Sequence, residues 1–534
     1  MKKAFLLILL LGLQLEAQLP SESLFIVNGS SPEALTVANH FIALRHIPDD
    51  RILVLSPPEW FYRENQSTRW RVNRVAVDEH LLHPVSEKID RLKDPGPTAL
   101  IFSPDWPIHT RHEGGTPVSV TAYIASRGKL PNEDHIKNGQ ARSPWFVTPE
   151  ERTQGRALPR YPIPAFREAA LLPSMMVGVF SPPLDAGRII EALTRSQSAD
   201  FTSPRGTVAF ITSDDVRTRA RMHQFEPAKE RLEARNIPVH LAERDTPLPE
   251  QILGVLEGAA TVPVSNYRGR LVPGAFAEHL TSFAGTLHNS QQTKMTEWIA
   301  AGAAGTVGTV DEPLSIWTKF PIAEIFERYA LGNTLLEALM QSHGHPWQSL
   351  AIGDPFCRPW ASPLPNLRLE TEWEQNTLTL TLSGVRSGPG TEAHLYIDGI
   401  RQPGNGPQWT WEGHPETTGP DIDVLLHVRR QWAPPEIAHL RKMIPTPFTE
   451  ALNLTAPRRQ PAGALRLEVT SQQPLAHLEI WQGGRRILQT EPRGKNHTLT
   501  LPHTLTGEGP IRLQARGIQS NGRMVRSNHW IRTE

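Results

Sequence analysis

The apolar positions of this chain change their period twice. Residues 4–13 are almost continuously apolar, follow Lys2 and Lys3, and lead into a short polar exit that ends at the small Ala17. A basic start, a short apolar core and a small residue at the exit are the parts of a secretory signal. The run is shorter than the ~20 residues a membrane helix needs. Residues 1–17 are therefore expected to be cut off on export. An ordinary buried first helix is the competing reading, but a strand pattern begins at residue 24, too soon after the exit. No later stretch is apolar and long enough to span a bilayer.

From residue 24 to about 361, short apolar runs alternate with stretches of helical spacing. Strands are expected at 24–27, 51–55, 99–102, 175–180, 207–212, 260–264, 305–310 and 350–352. After the first, Ser31 and Pro32 supply an N-cap and a first-turn proline. Ala34, Leu35, Ala38, Phe41 and Ile42 follow on one face. Ile189, Ile190 and Leu193 mark a second helix, and Met222, Phe225 and Leu232 a third. Ile322, Ile325, Phe326 and Tyr329 mark a fourth, at i, i+3, i+4 and i+7. Strands alternating with helices imply an α/β domain with a mostly parallel sheet and helices on both faces. Residues 103–173 are rich in proline, glycine and charge, and read as an insertion over that sheet.

Beyond Pro363 the period becomes two. Leu378, Leu380 and Leu382 alternate with threonines, and further short strands follow at 394–397, 424–428, 465–469, 477–481, 497–501, 511–515 and 524–531. This pattern predicts two Ig-like β-sandwich modules, at 364–455 and 462–534, joined through the proline-flanked residues 457–461. The segments at 393–399 and 476–483 echo one another as strand plus turn.

Charge adds an exclusion. Lys plus Arg and Asp plus Glu stand at 55 each, a net charge of zero, so the basic footprint of a nucleic-acid binder is missing. The one cysteine, Cys357, has no disulfide partner, and its proline-rich surroundings fit a small buried hydrophobe better than a reactive thiol. Gly302, Gly305 and Gly308 lie between a helix and the strand after it, the reverse of a dinucleotide fingerprint. They fit close packing of helix on sheet, and no cofactor is expected. Among 21 histidines, His109 and His112 with Glu113 form the best metal grouping, but two histidines do not define a zinc site, and no metal is expected. The 14 tryptophans are an excess. Those at 409, 411, 432 and 481 fall in the β-modules, where exposed rings suit sugar binding and buried ones fill a core.

The most specific stretch runs from Val272 to Trp360. It holds Pro273-Gly274-Ala275-Phe276-Ala277-Glu278-His279-Leu280-Thr281-Ser282, then Gly302-Ala303-Ala304-Gly305-Thr306-Val307-Gly308 through Asp311-Glu312-Pro313, and finally Gly353-Asp354-Pro355. With Val27-Asn28 and the helix after them, this block resembles a family of secreted bacterial proteins that is itself distantly similar to the gingipain-type cysteine peptidases of caspase-like fold. The resemblance covers about the first two thirds of the chain.

It implies a caspase-like sheet with a site at its strand ends. In such peptidases a His-Gly follows one strand and a nucleophilic cysteine follows the next. Here Asn266, Tyr267 and Arg268 stand near the first position without a histidine, and Thr281 and Ser282 near the second without a thiol. The resemblance therefore implies the fold and the site's location, with Asn266, Tyr267 and Arg268 as ligand-binding candidates, and not the peptidase chemistry. Candidates for substitute catalysis are His279, Ser282, Asp311, Glu312 and Asp354, a Ser-His-acid set that would have to converge at the strands' carboxyl ends. No Gly-x-Ser-x-Gly elbow marks Ser282. The ordinary reading is that Ser282 caps a helix, His279 packs in the core and Asp354 ties a turn.

Three roles follow as expectations: a secreted, periplasmic or cell-surface protein that binds or assembles through a catalytically empty fold; a hydrolase with a non-cysteine site near Ser282 and His279; or a carbohydrate-binding surface protein. The expected partner is a protein or polysaccharide at the cell surface.

Overall fold

Short apolar strands joined by helices need a sheet that is buried on both faces, and the first part of the chain forms one. The computed structural model describes residues 18–63, 72–92, 97–153, 174–177, 184–287, 291–385, 390–431, 434–448, 451–457, 459–492 and 494–533. The expected signal at 1–17, the end of the 103–173 insertion and Trp432 lie outside the described residues. The chain divides into two units. The first holds the chain up to Asn28, Leu55–Ser362 and Gln431–Pro435, and the second holds Gly29–Val54, Pro363–Arg430 and Glu436–Glu534.

The first unit is α/β with one large mixed sheet. Strands Ser23–Asn28, Ala99–Phe102, Ser174–Met176 and Ser349–Gly353 run parallel in that order. Strands Gly305–Thr309, Leu271–Leu280, Ile252–Gly258, Thr207–Thr212 and Val239–Glu243 form a second parallel block. The blocks join where Gly305–Thr309 pairs antiparallel with Ser349–Gly353. The sheet is thus mostly parallel, as expected, but its halves point in opposite directions. Helices cover both faces. On Leu271–Leu280, Glu278 meets Arg221 of helix Val216–Arg221, while its neighbour His279 meets Trp298 of helix Thr296–Ala301. Adjacent strand residues point to opposite faces, so these helices lie on opposite sides.

Two strand expectations need correction. The strand placed at 260–264 is Ile252–Gly258, and Val264–Tyr267 is a turn of 3-10 helix. Pro263 interrupts the former stretch, whereas Gly254, Glu257 and Gly258 disguise a strand that is buried along its whole length. Leu271–Leu280 was not expected as a strand, because Pro273, Gly274, Glu278 and His279 break its apolar run. The insertion is more ordered than its composition implies. It begins with a hairpin of His109–Arg111 and Pro117–Ser119, continues into helices Val120–Ala125 and Glu133–Lys137, and buries Trp106, Tyr123 and Trp145.

In the second unit, Ser31 caps helix Pro32–Arg45 by accepting from the Ala34 amide at 3.2 Å, with Pro32 in the first turn. Two β-sandwiches follow. In the first, strands Glu436–Pro445, Asp421–Arg430, Thr391–Ile397 and Ile400–Arg401 face a sheet of Arg368–Glu374, Thr377–Ser383 and Gln408–Glu412. Leu378, Leu380, Leu395, Val424 and Leu426 fill the space between them. In the second, Leu452–Thr455, Ala464–Ser471 and Asn496–Pro502 face Arg485–Thr490, Leu475–Gln482, Ile511–Gln519 and Met524–Arg532. Leu465, Leu467, Leu478, Ile480 and Leu513 form that core. The period-two alternation is what makes one face of each strand apolar.

Candidate functional site

Parallel strands direct their carboxyl ends, and the loops after them, to one edge of a sheet. In the second block that edge carries the loops after Gly258, Leu280 and Thr309. His279, Ser282, Asp311 and Glu312 all belong to this edge. Asp354 does not. It follows Ser349–Gly353, which runs the other way, so it sits beside the start of Gly305–Thr309, where its amide donates to Ala304 O at 2.9 Å. Its carboxylate accepts from the Phe356 amide at 3.1 Å, and the side chain is buried. Asp354 thus ties a turn, the ordinary reading of its sequence, and the direction of one strand keeps it away from Ser282 and His279.

His279 is fully buried. Trp298 Nε1 donates to its Nδ1 at 2.9 Å, so the ring proton is on Nε2, which faces Thr293 O at 3.2 Å. Burial pushes its pKa down to about 3, more than the Thr293 carbonyl can offset. Both nitrogens are committed to the protein and the ring is shut off from solvent.

Glu257 lies beside His279 in the paired strand. Tyr267 donates to Glu257 Oε2 at 3.2 Å, and Arg244 Nε stands 2.6 Å from Oε1. Burial raises the pKa of Glu257 and of Tyr267. Tyr267 is thus buried, with its ring against Trp298, centroids 5.0 Å apart. Its neighbours Asn266 and Arg268 are exposed. On the opposite face Arg221 Nη1 stands 2.5 Å from Glu278 Oε2 in a fully buried pair. Burial carries the Glu278 carboxyl up to about 7 against the pull of Arg221.

The segment after Leu280 is tied down in the same way. Thr281 Oγ1 donates to Gln292 Oε1 at 2.6 Å, and the Phe283 amide donates to the same oxygen at 2.8 Å. Thr309 Oγ1 reaches the carbonyls of Thr281 and Ser282 at 2.9 and 2.8 Å. Lys294 Nζ donates to Phe283 O at 2.9 Å, and burial lowers its pKa to about 8. Ser282 is buried and is not the helix cap that its sequence suggests, since residues 282–285 form a turn. Asp311 accepts from Gln348 Nε2 at 3.2 Å, and burial raises its pKa. Glu312 accepts from the Leu314 amide at 2.9 Å, stabilising its own turn. The edge therefore assembles these residues as a framework, with no nucleophile–base pair among them.

Sequence reasoning missed Arg221, Glu257, Glu278, Trp298 and Gln292, the groups that fix this framework. The signal was the adjacent Glu278-His279 inside an otherwise apolar stretch: two polar residues on opposite faces of a buried strand each demand a partner. The insertion's histidines do not gather as ligands. His112 Nδ1 stands 3.5 Å from Glu133, and Glu113 pairs with Arg74 at 3.0 Å. Cys357 is fully buried, with its Sγ 3.3 Å from Ser196 O. In the first sandwich Trp409 is buried in the core with Trp373 and Trp411 packed against it, and in the second Arg516 covers the Trp481 ring at 4.2 Å.

No family model matches the chain, and no curated protein matches it. Among solved structures it is similar to the Arg-specific cysteine proteinase gingipain R of Porphyromonas gingivalis, at 10% identity and a TM-score of 0.44, over 80% of this chain and 98% of that one. It is also similar to fibronectin(III)-like modules of Clostridium thermocellum CbhA, at 20% identity and a TM-score of 0.12, over 15% of this chain and 90% of that one. A third is SGBP-B of the Bacteroides ovatus mixed-linkage glucan utilization locus, in complex with a heptasaccharide, at 13% identity and a TM-score of 0.19, over 29% and 40% of the two chains.

Proposed function

We propose that this chain works outside the cytoplasm by binding or assembly, on a gingipain-like fold with no peptidase centre among the described residues. The state of His279 is the observation that carries the reading. A general base needs a free nitrogen within reach of the proton it removes, and both nitrogens of this ring are spent inside the core. A serine without such a base is a weak nucleophile near neutral pH. The acids do not repair this: Asp354 belongs to the far edge of the sheet, Asp311 is engaged by Gln348, and Glu312 holds its own turn. Export through the segment at 1–17 and the two β-sandwiches after the α/β unit fit a protein displayed or released outside the cell.

The test is to incubate the purified mature chain with a broad peptide library, alongside its Ser282→Ala and Cys357→Ala variants. No cleavage is expected from any of the three. Cleavage by the parent chain that disappears in Ser282→Ala would establish the hydrolase instead, and cleavage that disappears in Cys357→Ala would restore a cysteine peptidase.

A further inference from the structure

At the opposite edge of the second block, the amino ends of Thr207–Thr212, Val239–Glu243 and Ile252–Gly258 surround a cavity of about 490 Å³. Its volume falls in the range of small-molecule sites. Trp360, Pro204 and Pro238 give it apolar walls, while Arg205, Arg235 and Asn236 give it polar ones, and no carboxylate lines it.

The walls are built from held backbone. The Phe201 and Ser203 amides donate to Arg358 O and Pro359 O at 3.3 and 2.9 Å, which fixes the segment before Arg205 against the segment that carries Trp360. Arg358 anchors the same junction: its amide donates to Asp200 Oδ1 at 3.0 Å, and its guanidinium stacks over the Phe201 ring at 5.4 Å. Phe201 and Ser203 have φ of 64° and 44°. A bulky residue in the left-handed region costs about 1–3 kcal/mol, and such strain persists where the surroundings over-determine it, often at ligand clamps. Trp360 is half-buried, braced edge-on by Tyr329 with centroids 5.0 Å apart.

The two cations differ. Arg235 leans on Glu327 at 3.4 Å, and Glu327 is shared with Arg231 at 3.1 Å. Arg205 has no ion-pair or hydrogen-bond partner among the described residues and is exposed at the cavity. An indole face accepts the C–H face of a sugar ring, an amide side chain serves hydroxyls, and a guanidinium takes a carboxylate in two parallel bonds. A neutral sugar would make no use of the charge on Arg205, and an inorganic anion would make none of Trp360 and Asn236.

We infer that this cavity binds an acidic saccharide of the uronic-acid class, with its ring against Trp360 and its carboxylate on Arg205. The site lies across the sheet from His279 and does not depend on what the strand ends there do.

Calorimetric titration of the mature full-length chain tests it, with trigalacturonate as the probe, galactotriose as its neutral counterpart and sodium sulfate as the bare anion. Trigalacturonate should bind with a Kd below about 1 mM, and galactotriose at least about tenfold more weakly. Arg205→Ala should lose about tenfold or more while melting as the parent does, because this side chain is exposed. Arg205→Lys should keep part of the binding, since it retains the charge and loses the paired bonds. The proposal is overturned if galactotriose binds as well as trigalacturonate, if sulfate competes at equal concentration, if Arg205→Ala binds unchanged, or if nothing binds at ~10 mM probe.

Discussion

Trp298 Nε1 stands 2.9 Å from His279 Nδ1, and both side chains are fully buried. An indole N–H only donates, so it holds that imidazole nitrogen unprotonated and directs the other nitrogen's proton to Thr293. The same contact orders three segments at once: the strand end at Leu280, the helix from Thr296 and the loop through Thr293. The histidine that sequence puts nearest to the site is thus a joint of the framework.

Removing the donor tests this joint. Trp298→Phe keeps a ring in the core but leaves Nδ1 buried without a partner, which costs about 1–3 kcal/mol beyond the lost ring area. A fall in the urea midpoint of that order is expected at neutral pH, with unchanged slope. A midpoint within error of the parent's would mean that the imidazole is not held by Trp298.

The pH dependence of stability carries the second prediction. The folded pKa of His279 is lowered to about 3 from 6.5, so the fold favours the neutral ring and the unfolded chain takes up the proton first. Its contribution is complete above 6.5 and is lost progressively as pH falls from there toward 3. In His279→Gln that loss should be missing. The difference in unfolding free energy between parent and variant should therefore narrow steadily from pH 7 to pH 4, by roughly one proton's worth of slope. A constant difference across that range would show that the ring is not buried neutral.

How much of this was legible in the sequence depends on which residues carried the signal. The α/β unit, the sandwich modules and the Ser31–Pro32 helix start were readable, because each rests on a repeating apolar period or a local capping rule. The strand Leu271–Leu280 was not. Its Glu278 and His279 look exposed until Arg221 and Trp298 arrive from distant parts of the chain, and periodicity has no access to such partners. The edge to which Asp354 belongs was hidden for a different reason: the residues of Ser349–Gly353 are equally apolar in either direction, so only the pairing shows that this strand is reversed. The grouping of Gly29–Val54 with the sandwich modules was likewise hidden, since Asn39 and Asp49 find their partners, Thr506 and Arg512, 467 and 463 residues later.

Gly308 offers a third test. A Cβ built there would lie 2.6 Å from the Gly285 amide nitrogen and 2.8 Å from the Ala284 carbonyl carbon, and one on Gly285 would meet Gly308 O at 2.7 Å. The turn after Leu280 crosses the Gly305–Thr309 strand on bare backbone, and neither side can yield as a flexible side chain does. Gly308→Ala should cost about 1–3 kcal/mol or more through overpacking. Amide exchange should also quicken at Gly285 and Phe283 before the sandwich modules are affected. An alanine variant with parent-like stability would mean that the crossing is looser than described.

The last prediction concerns how Gly29–Val54 is held in its unit. Arg512 Nη2 lies 2.7 Å from Asp49 Oδ1, its Nη1 bonds Asp423, and Arg441 Nη2 reaches the same Asp423 carboxylate at 2.7 Å. Asp423 is buried, which alone would raise its pKa, but Arg512 and Arg441 overcome this and hold it well below the usual carboxylate range. Arg512→Met leaves Asp49 without this cation and Asp423 with one where it had two. Breaking a buried pair from one side costs about 3–5 kcal/mol, and that order of loss is expected in urea unfolding at neutral pH. The sign with pH is fixed: a carboxyl whose folded pKa is depressed stabilises above its unfolded value of 3.8 and loses that contribution as pH falls below it. The gap between parent and variant should therefore be widest near neutrality and close in acid. Adding Asp49→Asn to Arg512→Met should recover part of the loss, because the uncompensated charge is then gone. A fragment ending near residue 364 keeps Asp49 and Asn39 but loses Arg512 and the Thr506 and Glu508 carbonyls that Asn39 binds at 2.9 and 2.8 Å, so it should melt earlier than the full chain. Equal melting of fragment and full chain, together with a silent Arg512→Met, would show that Gly29–Val54 needs nothing from the C-terminal modules.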